Sequence, residues 1–321
     1  MTSARFRVLR VTSALALCLP LLMPPHALAQ SPPWASNTEK KARNLYLLAE
    51  GGDVKSILEL RAAANAAEPW AALQYGYILH LGVGGVKIDK TAAKASYLRA
   101  APGYAANTTG IPLAAYNLGL LYLWGDDTPD SINVSDAIKW FRVAGSAEGM
   151  GGAVLPAAMQ LAVIYENGFG RQPRNLPEAA KWYGIASRFG DPVATYKYGR
   201  TLIEGEYVPR NPTDGLVALE RAALKGSREA MYYLASLYST GSEFVQQSNY
   251  QAAYWLMVAG LSLNGKVHAE YAASVGEMQR IMTPGEFTAA KAVALQFRRR
   301  VRTIPPTVRY NIPLNTPTQF Y

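Results

Sequence analysis

The sequence predicts an all-α solenoid of helix–loop–helix repeats, and three observations carry that prediction. A small residue recurs five times, at Gly76, Gly119, Ala162, Gly199 and Ala235, with intervals of 43, 43, 37 and 36. Six residues after each stands a glycine (Gly82, Gly125, Gly168, Gly205, Gly241), and an alanine returns further on at Ala100, Ala144, Ala186, Ala222 and Ala259. Hydrophobic residues make up 50% and charged residues 17% of the 321, a balance foreign to a disordered chain. No apolar run of about 18 or more residues follows the N-terminus, which argues against a multi-span membrane protein.

The elements follow in chain order. Arg5, Arg7 and Arg10 precede an apolar stretch, Val11 to Met23, and Ala27-Leu28-Ala29 then places small residues where a signal peptidase reads. Residues 1–29 therefore read as a secretory signal peptide cut after Ala29, with an uncleaved N-terminal anchor as the alternative. Leu17 before Cys18 argues against a lipoprotein. Cleavage removes three Arg and no acid, so the formal charge falls from +9 to +6, and it leaves His80 and His268 with no Cys. A thiol-free chain sent into an oxidising compartment must be held by packing alone. The expected location is the bacterial periplasm.

Residues 30–37 read as a linker and 38–68 as N-terminal capping helices. Glu39 to Leu48 forms the first, Gly51-Gly52 ends it, and Asp53 is placed as N-cap of a helix over Val54 to Ala64. Residues 69–265 hold the five repeats. The small residue and the later alanine let two helices approach closely. The residue three on (Leu79, Tyr122, Tyr165, Leu202, Tyr238) lies on the same face and is expected in the core. The fixed glycine is expected to be the left-handed residue that ends the first helix, and the loop after it to absorb the variation in repeat length. Residues 266–300 read as C-terminal caps: a helix over Val267 to Met278, a capping box at Thr283-Pro284-Gly285-Glu286, and a helix to about Arg298. Prolines at 305, 306, 313 and 317 make residues 301–321 a non-helical basic tail.

The repeat resembles the Sel-one-like repeat (SLR) family, a relative of the tetratricopeptide repeats. Leu118-Gly119, Tyr122 and Gly125 are followed by Ala137-Ile138-Lys139-Trp140-Phe141; Tyr165 and Gly168 are followed by Ala179-Ala180-Lys181-Trp182-Tyr183. Gly199, Gly205 and Ala222-Ala223 make a weaker copy, and Ala235, Tyr238, Gly241 and Ala252-Ala253-Tyr254-Trp255 another. Ala162 and Ala235 depart from the family's glycine, Pro102-Gly103 interrupts after the first copy, and Gly149 to Gly152 is glycine-rich. The resemblance implies an SLR/TPR-like right-handed superhelical solenoid of helix-turn-helix repeats, acting as an adaptor that binds proteins and sometimes peptidoglycan or polysaccharide-assembly machinery. Secreted relatives that bind β-lactams depend on a disulfide in each repeat, and the cysteines are missing here.

Chemistry is sparse. His80 and His268 lie in distant segments, so neither a His-based triad nor a His metal site is indicated. Asp126, Asp127, Asp130 and Asp136 lack the ligand alternation of a calcium loop, and Gly82-Val83-Gly84-Gly85 follows a helix where a dinucleotide site needs a strand. Glu204 and Glu206 flank a turn with nothing to mark them as a catalytic pair. The expectation is a non-enzyme with no cofactor and no metal.

Two features suggest partners. Arg298, Arg299, Arg300, Arg302 and Arg309 form a basic cluster, suited to an acidic partner, lipid or polysaccharide, or simply to a basic helix C-terminus before a solvated tail. In tetratricopeptide relatives the concave face is built from the first helices. The matching positions here include Trp70, Tyr77, His80, Tyr116, Leu120, Leu123, Met159, Val163, Tyr196, Arg200, Ile203 and Tyr232. This row is either a partner-binding groove or buried by tight packing. The preferred reading is a periplasmic scaffold or regulator for a protein of the cell envelope, with a role in exopolysaccharide control among the expectations. Direct binding of peptidoglycan or exopolysaccharide is the alternative. Nucleic acid is not expected for an exported protein, nor a membrane span after signal cleavage.

Overall fold

The computed structural model describes residues 36–101, 110–125, 131–146, 154–262 and 264–303. They form fourteen α-helices: α1 (Asn37–Glu50), α2 (Val54–Asn65), α3 (Pro69–Leu81), α4 (Lys90–Ala100), α5 (Pro112–Trp124), α6 (Val134–Gly145), α7 (Val154–Asn167), α8 (Leu176–Arg188), α9 (Pro192–Glu204), α10 (Pro212–Leu224), α11 (Arg228–Thr240), α12 (Asn249–Gly260), α13 (Ala269–Ile281) and α14 (Pro284–Thr303). The fold is an all-α repeat solenoid. The described residues divide into two compact units, 36–182 and 183–303. No helix among them is long and apolar enough to cross a membrane. Residues 1–29, the prolines of the tail, Asp126, Asp127, Asp130, Pro102-Gly103 and Gly149 to Gly152 lie outside the described residues.

Every repeat closes the same way. The backbone N–H of the residue capping the second helix donates to a carbonyl two residues before the end of the first. These bonds are Asp89 to Leu79 (2.9 Å), Asn133 to Tyr122 (2.7 Å), Asn175 to Tyr165 (2.7 Å), Asn211 to Leu202 (2.9 Å) and Ser248 to Tyr238 (2.8 Å). Each carbonyl is one of the four that a helix end leaves without an internal partner. The same five residues then use a side-chain oxygen to accept from the amide three residues on, as Asn211 does from Asp214 and Ser248 from Gln251. Each such cap is worth about 0.5–2 kcal/mol.

The fixed glycine holds its place but not the expected conformation throughout. Gly82 (φ 71, ψ 32) and Gly205 (φ 67, ψ 17) are left-handed, whereas Gly125 (φ 87, ψ 162) and Gly241 (φ 69, ψ 171) combine positive φ with extended ψ, a region open essentially to glycine alone. The variation in repeat length also sits elsewhere than expected. The glycine-to-cap segment is nearly constant, from Gly205–Asn211 to Gly125–Asn133. The connection to the next repeat changes from 101–111 and 146–153 to only 189–191 and 225–227.

The recurring small residue does what its size allows. A Cβ on Gly76 would stand 2.5 Å from the Tyr97 ring, and one on Gly119 2.5 Å from the Phe141 ring. Tyr97 and Phe141 are completely buried, and burying one such ring stabilises the fold by about 1.5–3 kcal/mol. In the C-terminal unit Gly199 instead meets backbone: its Cβ would lie 2.9 Å from the Gly215 carbonyl and 3.0 Å from the Ala218 methyl. Leu79, Tyr165 and Leu202 join the core as expected, but Tyr122 and Tyr238 stay half-buried. Tyr122 lies under Lys94 of the preceding repeat, whose Nζ is 4.4 Å from the ring centroid, and Arg142 likewise reaches Tyr165, donating to its hydroxyl at 2.9 Å.

At the ends, Asp53 caps α2 by accepting from Lys55 and Ser56, and Thr283 and Glu286 form the reciprocal box that starts α14. The caps differ from expectation in extent. α13 begins at Ala269, with His268 at its N-cap position, and α14 runs on to Thr303. α14 packs on α12, burying Ala290 and Ala294.

Two outcomes test this packing. Gly119→Ala is expected to destabilise the N-terminal unit by about 1–3 kcal/mol through overpacking. Urea denaturation should show that Gly119→Ala combined with Phe141→Leu recovers much of the loss. The second concerns Asp191, which caps α9 by accepting from Ala194 at 2.7 Å while its other oxygen is buried without a partner. Burial raises its carboxyl above the usual range, against the pull of the cap bonds and Lys225. A raised folded value means the native state holds the proton longer. Stability should therefore fall as pH climbs from the ordinary carboxyl value through the raised one. Thermal melts of Asp191→Asn across that window should lose this slope.

Candidate interaction surface

The structure separates the predicted row of first-helix residues into two groups. In the N-terminal unit most of the row is sealed. Tyr77 (1% exposed), Tyr116 (2%), Leu120 (1%), Leu123 (2%) and Met159 (2%) are core, and line no open groove. The cause is interlocking rings. Tyr77 sets its edge against Tyr46 of α1 at 6.4 Å and against Tyr97 at 5.8 Å, and Tyr116 leans on Phe141 at 5.7 Å. Burial pushes the hydroxyls of Tyr46, Tyr77 and Tyr97 up. The Tyr77 hydroxyl faces the Asn117 amide without a hydrogen bond of ordinary geometry. Trp70, His80 and Val163 are half-buried, and His80 Nδ1 lies 3.4 Å from the Tyr97 hydroxyl.

In the C-terminal unit the same register is open. Tyr196, Arg200 and Glu204 follow one face of α9 at four-residue spacing. Arg200 Nε donates to Glu204 Oε1 at 2.6 Å, and the Tyr233 hydroxyl of α11 reaches the same oxygen at 3.5 Å. Tyr196 packs edge-on against Tyr233 at 6.3 Å, and Tyr232 against Tyr271 of α13 at 6.2 Å. Arg228 pairs with Glu270 at 3.8 Å beside them. Tyr196, Tyr232, Tyr233 and Tyr271 are all half-buried, so each offers part of a ring to solvent. Burial pushes the Tyr233 hydroxyl up to about 12 and raises Tyr196, against the opposing pull of Arg200. These groups stay protonated donors at neutral pH. Ile203 is not on this ledge: it is buried beneath it, packed against Gly215.

Glu204, Tyr233 and Tyr271 are the ledge residues that the repeat register missed. Glu204 and Tyr233 fall one position off the chosen rows, and Tyr271 belongs to the cap. A signal for the open face was present, however. Leu219 and Leu256 occupy the positions that Tyr97 and Phe141 fill earlier, so the C-terminal second helices present no ring there to interlock with the tyrosines. Of the basic cluster, Arg298 is half-buried while Arg299 and Arg300 are exposed near the end of α14; Arg302 stands in its last turn, and Arg309 lies outside the described residues. Among the described residues no cluster of three or more His, Cys, Asp or Glu could hold a metal ion.

Paired helices repeated five times, with a polar and aromatic ledge, define a helical-repeat binding scaffold. The Sel1 repeat model matches residues 71–101, 112–148, 155–191, 192–227 and 228–257, more than half of the chain, which therefore belongs to the Sel1 repeat family. Such proteins are protein-interaction scaffolds, typically without catalytic activity. A crystal structure of a Sel1 repeat protein from Oxalobacter formigenes is similar at 25% identity and TM-score 0.58, over 80% of this chain and 99% of that one. A protective antigen of uropathogenic Escherichia coli strains, displaying an SLR fold, is similar at 17% identity and TM-score 0.43, over 84% of this chain and 64% of that one. An immunity protein from Pseudomonas aeruginosa follows at 15% identity and TM-score 0.34, over 84% and 87%. No curated protein matches the chain significantly.

The division of the row has a direct test. Tyr77→Ala should destabilise the N-terminal unit by about 3–5 kcal/mol, as large-to-small changes in a core do. Tyr196→Ala, at a half-buried site, should cost about 1 kcal/mol. Equal losses in chemical denaturation would contradict the assignment of one tyrosine to the core and the other to the ledge.

Proposed function

We propose that the protein is a periplasmic scaffold that holds a protein partner of the cell envelope on the first-helix face of its C-terminal unit. The observation that carries this reading is the ledge itself. Four tyrosines, each half-covered and each braced by a neighbouring ring, stand beside the Arg200–Glu204 and Arg228–Glu270 pairs. Tyrosine and arginine dominate the energetics of protein interfaces because they combine large contact area with hydrogen bonding at low entropic cost. Bracing lowers that cost further, since the rings are already ordered before a partner arrives. The membership in a family of interaction scaffolds supports a protein partner. The signal-like first 29 residues support export, and control of an envelope process such as exopolysaccharide production is the role that suits an exported scaffold.

The test is capture from periplasmic extract with the exported protein, whose N-terminus is expected at Gln30. A Tyr196→Ala, Tyr232→Ala double variant, checked for intact helicity, should lose its partner at least tenfold, while Leu224→Ala, an exposed change off the ledge, should retain it. Equal capture by both variants, or a protein that never leaves the cytoplasm, would overturn the reading.

A further inference from the structure

At the edge of the C-terminal unit, away from the residues of the tyrosine ledge, a cleft of about 460 Å³ opens between the end of α11, the loop 241–248 and the start of α12. Its walls are the rings of Tyr238 and Phe244, the aliphatic Leu216 of α10 and Val245, and the polar groups of Gln246, Gln247, Ser248 and Gln251. No charged side chain lines it, although the whole chain carries a formal charge of +9.

The loop is built to hold this shape. Ser242 N–H donates to the Val245 carbonyl at 2.8 Å, and the Ser242 hydroxyl accepts from the Val245 amide at 3.1 Å. Val245 is buried and anchors the turn. Arg210, which is not part of the lining, stacks 5.8 Å from the Phe244 centroid and pairs with Glu243, fixing the ring from outside the cleft. Phe169, the aromatic in the corresponding loop of the third repeat, is instead covered by Trp124 at 5.7 Å. Phe244 has the Arg210 guanidinium against its ring and stays half-buried. The Gln247 amide donates to the Ser239 carbonyl at 3.1 Å, which orients its oxygen, while the amides of Gln246 and Gln251 are exposed.

We infer that this cleft is a binding site for a neutral glycan. A sugar ring has an apolar C–H face, electropositive at its hydrogens, and a rim of hydroxyls. The electron-rich face of an aromatic ring suits the first, and a carboxamide, with donor and acceptor side by side, suits adjacent hydroxyls on the second. Two rings and three carboxamides around one cleft supply both, and the volume lies within the ~300–1,000 Å³ of ligand pockets. The absence of charge in the lining selects an uncharged saccharide over a uronic or phosphorylated one. The site is distinct from the protein-binding ledge and stands or falls without it.

The experiment is isothermal titration of the full exported chain with neutral tetrasaccharides of glucose, galactose, mannose and N-acetylglucosamine. At least one should bind, with affinity unchanged between about 0.05 and 0.5 M salt, a range over which charge-driven binding is strongly screened. Phe244→Ala should weaken binding about tenfold, a loss of ~1.4 kcal/mol. Gln246→Ala with Gln251→Ala, both exposed and therefore safe for folding, should weaken it severalfold. Binding to none of the four sugars would overturn the proposal. So would binding indifferent to both sets of substitutions, or binding of acidic sugars alone that disappears with salt.

Discussion

One hydrogen bond sets the geometry of every repeat: the amide of the residue capping the second helix, donated to an orphan carbonyl near the end of the first. It joins two problems that each helix pair must solve. The first helix has carbonyls with no partner, and the second needs its cap residue held in an extended conformation at a fixed place. A single contact answers both, and the cap's side chain then completes the start of the second helix. Asp, Asn and Ser are the residues found there because each carries a side-chain oxygen placed to accept from the amide three residues further along the chain. The fixed glycine serves this closure. What matters is a positive φ that turns the chain; ψ is free to be near 20° at Gly205 or near 170° at Gly241, and the capping bond forms in both.

With the pair closed, the residue on the second helix opposite the small position decides what the first helix can expose. Where it is Tyr97 or Phe141, the ring fills the space left by glycine and interlocks with Tyr77 or Tyr116, and these tyrosines become core. Where it is Leu219, Gly199 lets α9 and α10 approach to backbone contact. No ring then rises between the helices, and Tyr196 turns instead to Tyr233 on the next first helix. The same repeat register thus yields a sealed unit and a unit with an aromatic ledge, through substitutions on the helix that does not itself carry the ledge.

Much of the fold was legible in the sequence because its signals are local. The turn at Gly82, the Asp53 cap and the Thr283–Glu286 box each depend on contacts within a few residues. The site was less legible because burial of a first-helix tyrosine depends on a residue about twenty positions away and on the preceding repeat. Tyr116 and Tyr196 share one register, three residues before the small residue, yet Phe141 of the paired helix covers the former. Repeat length misled for a related reason. The extra residues of the long intervals fall between Ala100 and Pro112 and between Gly145 and Val154, where turn signals are present but carry no length information.

The closing bond also frees the loops for binding chemistry. Because Gly241 and Ser248 are tied to α11 by their own amides, the ends of the intervening loop are fixed whatever side chains it carries. The entropy of closing a short loop is then met by backbone contacts common to all repeats, and depends only weakly on length. Side chains such as Phe244 and Gln246 can differ from repeat to repeat without loosening the helices that flank them. The first-helix face lacks this independence: Tyr196 is braced by Tyr233 of the next repeat and Tyr232 by Tyr271 of the cap, so changing one alters the packing of its neighbour. A scaffold of this kind holds a broad partner surface on its helices, where rings support one another, and a small-ligand site on a loop, where a single repeat can supply the whole chemistry.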